Sequence, residues 1–137
     1  MKILIIDDDP SLTDLLKLIL APTQAEIQHA CNGDQGLGML KEFCPDIILL
    51  DYMMPELDGL QTTRKIRKVS ATPILILSVL DDPVTLSKVL DEGADDYLIK
   101  PISRGVLIAH INNLVRRIEG KYTEQPKLKV SLQTALQ

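Results

Sequence analysis

Read only for its hydrophobic and polar positions, the chain alternates short unbroken apolar runs with stretches whose apolar residues recur every three or four positions. Ile3–Ile6, Ile47–Leu50 and Ile74–Leu77 are runs without alternation, as expected of strands buried on both faces. Ala25–Ala30 and Asp96–Lys100 read as two further strands. After the first run, Leu12, Leu15, Leu16, Ile19 and Leu20 repeat at helical spacing, with Asp9 as N-cap, Pro10 in the first turn and Pro22 as the stop. Asp34–Phe43 reads as a helix weakened by Gly36 and Gly38, each costing about 1 kcal/mol against Ala. Leu60–Val69 is a helix with Ile66 and Val69 inward and Arg64, Lys65, Arg67 and Lys68 outward. Asp81-Asp82-Pro83 repeats the acid-then-proline start of a helix that runs to about Asp91 and ends at Gly93. Ser103 caps a last helix whose inner face is Leu107, Ile111, Leu114, Val115 and Ile118. Strand and helix alternate throughout, which predicts an α/β fold: a doubly wound parallel sheet with helices on both faces.

In such a sheet, reacting groups sit outside the carboxyl ends of the strands. Strand one ends in Asp7-Asp8, strand three in Asp51, strand four in Ser78 and strand five in Lys100. Capping accounts for Asp9 but leaves Asp7 and Asp8 side by side, where like charges repel unless a cation joins them. Three carboxylates on one rim suit a hard divalent ion such as Mg2+. A hydroxyl and an ammonium beside them suit an incoming phosphoryl group, which one carboxylate can attack as nucleophile. Each residue alone has a plainer explanation: Asp51 as a turn residue, Ser78 as a strand terminator, Lys100 as a solvated charge. Their joint arrival at four strand ends favours chemistry.

Composition changes this picture little. A chain of 137 residues, 45% hydrophobic, suffices for one domain with an appendage; Trp is absent and Phe occurs once, so the core is aliphatic. A net charge of -4 argues against this segment gripping nucleic acid by itself. Cys31 and Cys44 lack metal-ligand spacing and read as free thiols of a reducing compartment. The apolar N-terminal run is too short for a signal peptide or a membrane span, so a soluble, cytoplasmic protein is expected. Gly120–Gln137 is polar, holds Pro126 and has only a faint alternation over Lys127–Val130. It is either a natural C-terminus, a linker to an effector or a docking segment.

Four pieces in order, Ile3-Leu-Ile-Ile-Asp7-Asp8, Pro45-Asp-Ile-Ile-Leu-Leu-Asp51-Tyr-Met-Met-Pro55 through Asp58-Gly59, Ile74-Leu-Ile-Leu-Ser78 and Gly93-Ala-Asp-Asp-Tyr97-Leu-Ile-Lys100-Pro101, closely resemble the receiver domain of two-component response regulators. The resemblance covers residues 1–119, leaving 120–137 as linker or tail. It implies a flavodoxin-like (CheY-like) sheet of order 2-1-3-4-5 and phosphorylation of Asp51 by a sensor histidine kinase. It also implies Mg2+ held by Asp8, Asp51 and the Met53 carbonyl, with Asp7 acting through water. Ser78 and Lys100 would hold phosphoryl oxygens. Tyr97 would be the switch aromatic, turning inward as Ser78 moves, and the Lys100–Pro101 bond would be cis. Such a domain is a phosphoacceptor that assists its own phosphorylation and dephosphorylation, not an enzyme proper.

The chain departs from the family at two places. Val79 follows Ser78 where the family usually carries Ala or Gly; with Met53 and Leu80 it narrows access to the phosphoryl site, so slow phosphoryl turnover is expected. Gly-Ala-Asp-Asp-Tyr97 is typical of the branch with winged-helix DNA-binding effectors, which dimerises through ion pairs across helix four, strand five and helix five. Here Asp91 and Asp96 are present, but helix five offers His110 and Asn112 where basic residues are expected. Leu86 and Val106 stand where a further pair is expected; they are either a small apolar contact or scattered surface residues. A homodimer is plausible by that face, and DNA is expected only through an effector domain outside this chain. Three rival readings are a stand-alone signalling receiver that acts by protein contact, a phosphorylation-independent docking module and a haloacid-dehalogenase-type phosphatase with Asp7 as nucleophile and Asp9 as acid/base. The last leaves Asp51 without a task.

Overall fold

The protein is described by a computed structural model over residues 1–120, with side chains to Arg117. Five strands, β1 (Lys2–Ile6), β2 (Glu26–Ala30), β3 (Ile47–Asp51), β4 (Ile74–Ser78) and β5 (Asp96–Ile99), form one parallel sheet of order β2-β1-β3-β4-β5. The helices are α1 (Pro10–Leu20), α2 (Gly33–Phe43), α3 (Gly59–Arg67), α4 (Pro83–Asp91) and α5 (Arg104–Gly120). Alternation along each strand divides the core in two. Leu4, Ile6, Ile48, Leu50, Ile74 and Ile76 face α2, α3 and α4. Ile3, Ile5, Ile47, Leu49, Leu75 and Leu77 face α1 and α5. β3 and β4 are buried at every position, which is why they read as unbroken apolar runs.

The expected helix starts are present. Asp9 accepts from the Ser11 amide with Pro10 in the first turn, and Asp82 accepts from the Thr85 amide ahead of Pro83. α3 has a start that the hydrophobic pattern did not reveal, a reciprocal capping box between Asp58 and Gln61. Several expected placements are corrected. Leu15 is 48% exposed and Val69 71% exposed. α3 ends at Arg67, so Val69 lies past the helix and has no inner face to join. Arg67 does not point outward: it is half-buried and hydrogen-bonded to three backbone carbonyls and to Asp95. Leu86 is not a scattered surface residue, since it packs on the core. Gly36 has a packing role beside its helix cost, because a Cβ there would stand 2.4 Å from Ile6 Cδ1 and would have to displace that core side chain; Gly38 meets nothing and keeps its plain helix cost. Ser103 caps α5 weakly, 3.5 Å from the Val106 amide. Leu107, Ile111 and Leu114 are buried, with Val115 packed beside them. The expectations for the Ile118 side chain and for 121–137 lie outside the described residues. Lys100–Pro101 is cis, and both cysteines are free.

Candidate phosphoacceptor site

The parallel register delivers the strand ends to one rim. β1 pairs with β3 as Ile6↔Leu50, β3 with β4 as Asp51↔Leu77, and β4 with β5 as Ser78↔Ile99. Asp51 is therefore central, with Asp7 and Asp8 on one side and Ser78 and Lys100 on the other. The chain leaves β3 through a tight loop in which Gly59 donates to the Tyr52 carbonyl at 2.7 Å. A Cβ on Gly59 would stand 2.7 Å from Tyr52 Cα, so only glycine lets α3 begin this close to the strand.

Asp7, Asp8 and Asp51 can bring one oxygen each within 4.8 Å of one another. Asp7 is buried; one of its oxygens accepts from the Asp9 amide at 2.8 Å, while Oδ2 is buried with no partner. His29 Nε2 lies 2.8 Å from the Asp7 carbonyl and donates to it, a contact that sequence reasoning missed. Burial pushes the Asp7 carboxyl up to about 6, with Asp51 adding repulsion and the Asp9 amide opposing. Asp51 is likewise raised by burial, while Lys100 and the Met53 amide pull it back. Lys100 Nζ donates to Asp51 Oδ1 at 3.1 Å. A buried carboxylate oxygen left unpaired beside two further carboxylates, all hard oxygen donors, fits a small divalent cation such as Mg2+.

Ser78 is fully buried, and its Oγ accepts from the Leu80 amide at 3.0 Å rather than touching Asp51. Tyr97 is 9% exposed and its hydroxyl donates to the Leu80 carbonyl at 2.8 Å. The ring lies inward in this structure. Val79 is 60% exposed and Met53 53% exposed on the rim. Leu80 and Met53 line a cleft of about 370 Å³ together with Tyr52, Met54, Pro55 and Asp58. On the neighbouring face, Asp96 is engaged within the chain by His110 Nδ1 at 2.5 Å. Ser78, Tyr97, Leu80 and Lys100 are joined in one network through the Leu80 backbone and the β4–β5 ladder.

Response regulator receiver domains match residues 3–112 of this chain as a family. The chain is 37% identical over 123 residues to the transcriptional regulatory protein AfsQ1 of Streptomyces coelicolor, covering 90% of this chain and 55% of that protein. It is 36% identical over 123 residues to the DNA-binding response regulator MtrA of Mycolicibacterium smegmatis, covering 90% and 54%. The chain thus spans about half the length of these relatives. Among solved structures, the receiver domain of the Francisella response regulator 1452 superposes with a TM-score of 0.79 at 35% identity, covering 85% of this chain and 98% of that one. A two-component response regulator from Clostridium difficile gives 0.82 at 32% identity, with 86% and 98% covered. Among the described residues no helix is long and apolar enough to cross a membrane.

Proposed function

This chain belongs to the response regulator receiver family, and on that premise we propose that Asp51 is the phosphoacceptor for a sensor histidine kinase. The observation that carries the assignment is the buried Asp51 carboxylate held at 3.1 Å by Lys100 beside the under-satisfied Asp7. Asp7, Asp8, Asp51 and the Met53 carbonyl would hold Mg2+, which when bound supplies positive charge against the carboxylates and the phosphoryl oxygens. Asp51 attacks phosphorus; a new O–P bond forms as the bond to the donor breaks and its electron pair leaves with the donor. The Lys100 ammonium, already at the site, stabilises charge on the arriving oxygens. The Ser78 hydroxyl is drawn toward the same group, which disturbs its bond with the Leu80 amide. Charge-assisted bonds contribute about 1.5–3 kcal/mol each. Two of them approach the roughly 5.5 kcal/mol that carries a two-state equilibrium from 1:99 to 99:1.

The readout runs from Leu80 to Tyr97 and the face made by α4, β5 and α5. We assign the output to transcription, through an effector domain outside this chain, because the curated relatives are transcriptional regulators of about twice this span. The chain would meet its kinase in the cytoplasm, and would assist its own dephosphorylation. Asp96 is already occupied by His110, so a homodimer by this face would rely less on ion pairs and more on exposed Val106 and Ile99. The test is incubation with Mg2+ and acetyl phosphate, followed by intact mass and mapping of the modified residue. An adduct on Asp51 that is lost in Asp51→Ala supports the assignment. An adduct on Asp7, or none with Mg2+ bound, overturns it.

A further inference from the structure

α4 is unevenly fastened. In its N-terminal half Val84 is 63% exposed and Leu86, partly buried, is the one apolar side chain packed on the core, whereas Val89 in the C-terminal half is fully buried. The Asp82 cap bonds the amide and hydroxyl of Thr85, both in the helix's own first turn, so it prevents fraying but ties the helix to nothing else. The connection from β4 is held at Leu80, whose amide donates to Ser78 Oγ at 3.0 Å and whose carbonyl accepts from Tyr97 at 2.8 Å.

The other end is held by arginines of α3. Arg67 Nε donates to the Gly93 carbonyl at 2.8 Å, Nη1 to those of Ser70 and Thr72 at 3.2 and 2.7 Å, and Nη2 to Asp95 Oδ2 at 2.8 Å. The same Asp95 oxygen accepts from the Ile74 amide at 2.8 Å, the first of β4. Arg64 adds a two-pronged bond to Glu92 at 3.0 and 3.1 Å. Gly93 has φ +121, and a Cβ there would stand 2.7 Å from Arg67 Cγ, so the turn and the arginine fit one another. One guanidinium therefore joins α3, the approach to β4 and the turn after α4 into a single body.

We propose that Arg67 is the fixed pivot of α4: the C-terminal end of the helix moves with the sheet, and a change at Ser78 and Leu80 reaches the surface by displacement of the N-terminal half alone. The trigger rests on the phosphoryl reading above; the anchor does not. A phosphoryl group on Asp51 draws the Ser78 hydroxyl and so disturbs one of the two ties at the free end. No group at the anchored end belongs to the phosphoryl site.

Amide-resolved hydrogen exchange on the full chain tests this, with and without Mg2+ and acetyl phosphate, rates being referred to the β3 amides as reporters of global unfolding. In the free wild-type protein, Leu86–Lys88 should exchange about tenfold or more faster than Leu90–Ala94, the span expected between loosely and firmly held segments. Arg67→Lys keeps the charge but cannot span the carbonyls, and should bring Leu90–Ala94 up toward the rate of Leu86–Lys88; Arg67→Ala should do so fully. On phosphorylation the wild-type change should be confined to residues 80–88 and spread to Ala94 in both variants. A flat profile along α4 in the free wild type, or a gradient unchanged in both variants, would overturn the pivot. Intact mass reads the Asp51 adduct separately, so a missing adduct counts against the phosphoryl reading while the free-protein gradient still decides the anchor.

Discussion

Asp46 and Asp51 flank the same strand, one just before β3 and one at its last position, and their surroundings differ sharply. Asp46 is exposed, yet it is paired: its carboxylate accepts from the Lys2 amide at 2.7 Å and its own amide donates to the Lys2 carbonyl at 2.8 Å. Asp95, just before β5, is held by Arg67 and the Ile74 amide. At the opposite rim Asp7 and Asp51 are buried and short of partners, while Asp8 beside them is exposed. Asp51 has Lys100, while Asp7 keeps a buried oxygen with none. Pairing is therefore complete where water could have substituted for it and incomplete where its lack is costly. The difference sets an under-satisfied carboxyl-end rim, where we propose the phosphoryl site, against an opposite rim whose acids are paired.

The strongest way to break that comparison is to exchange the roles of the rims. Asp51→Ala should abolish the phosphoryl adduct outright, read by intact mass, while the cooperative unfolding transition remains. Arg67→Ala should do the reverse. It leaves three carbonyls and a carboxylate without their donor and should lower stability by about 2–3 kcal/mol in urea denaturation, while Asp51 still accepts phosphoryl. Loss of phosphorylation in Arg67→Ala at temperatures where it is folded would erase the division of labour.

Asp7 sharpens the comparison through pH. Its carboxyl titrates near 3.8 when unfolded and near 6 when folded, so the folded state binds the proton more tightly. The ionised form therefore opposes folding above pH 6, and that cost is relieved as pH falls from 6 toward 3.8. A shift of this size corresponds to at most about 3 kcal/mol. In metal-free buffer the wild-type protein should gain stability between pH 7 and pH 5, and Asp7→Asn should be more stable at pH 7 by about 1–3 kcal/mol and show a smaller dependence, the remainder belonging to Asp51, whose carboxyl burial also raises. Equal urea midpoints at the two pH values in the wild type would show that the buried acid is satisfied after all.

How far the sequence discloses these rims follows from which interactions are local. β1, β3 and β4 are legible because burial on both faces leaves unbroken runs, and their ends place Asp7, just past β1, and Asp51 and Ser78, last in β3 and β4. The caps at Asp9 and Asp82 are legible because acid-then-proline is a contiguous signal. Arg67 is not: at helical spacing it belongs with its outward basic neighbours, and only the fold brings Gly93 and Asp95 to it from 26 and 28 residues away. The tie between Ser78 Oγ and the Leu80 amide spans two residues but depends on how the chain leaves β4, which periodicity does not encode. Asp58 with Gln61 was legible in principle, as an acid three residues before a glutamine ahead of an apolar position.

Val79 gives the smallest effect and the cleanest separation of function from stability. It follows Ser78 on the carboxyl-end rim and is 60% exposed, so truncating it removes little buried area. Val79→Ala should leave the urea midpoint within about 0.5 kcal/mol of wild type, as for other surface changes. What it should change is the lifetime of the phosphorylated state. Hydrolysis needs a water to reach phosphorus in line with the Asp51 oxygen, and on the proposed assignment a branched side chain beside Ser78, with Met53 and Leu80 adding apolar bulk, would restrict the approach. The wild-type phosphoprotein should therefore decay slowly, and Val79→Ala several-fold faster, when acetyl phosphate is removed and the adduct is followed by intact mass. A wild-type half-life of seconds with Mg2+ present, or equal decay in the two proteins, would assign access to some other part of the rim. A change in stability without a change in lifetime would place Val79 with Arg67 and Asp46 among the residues that hold the sheet.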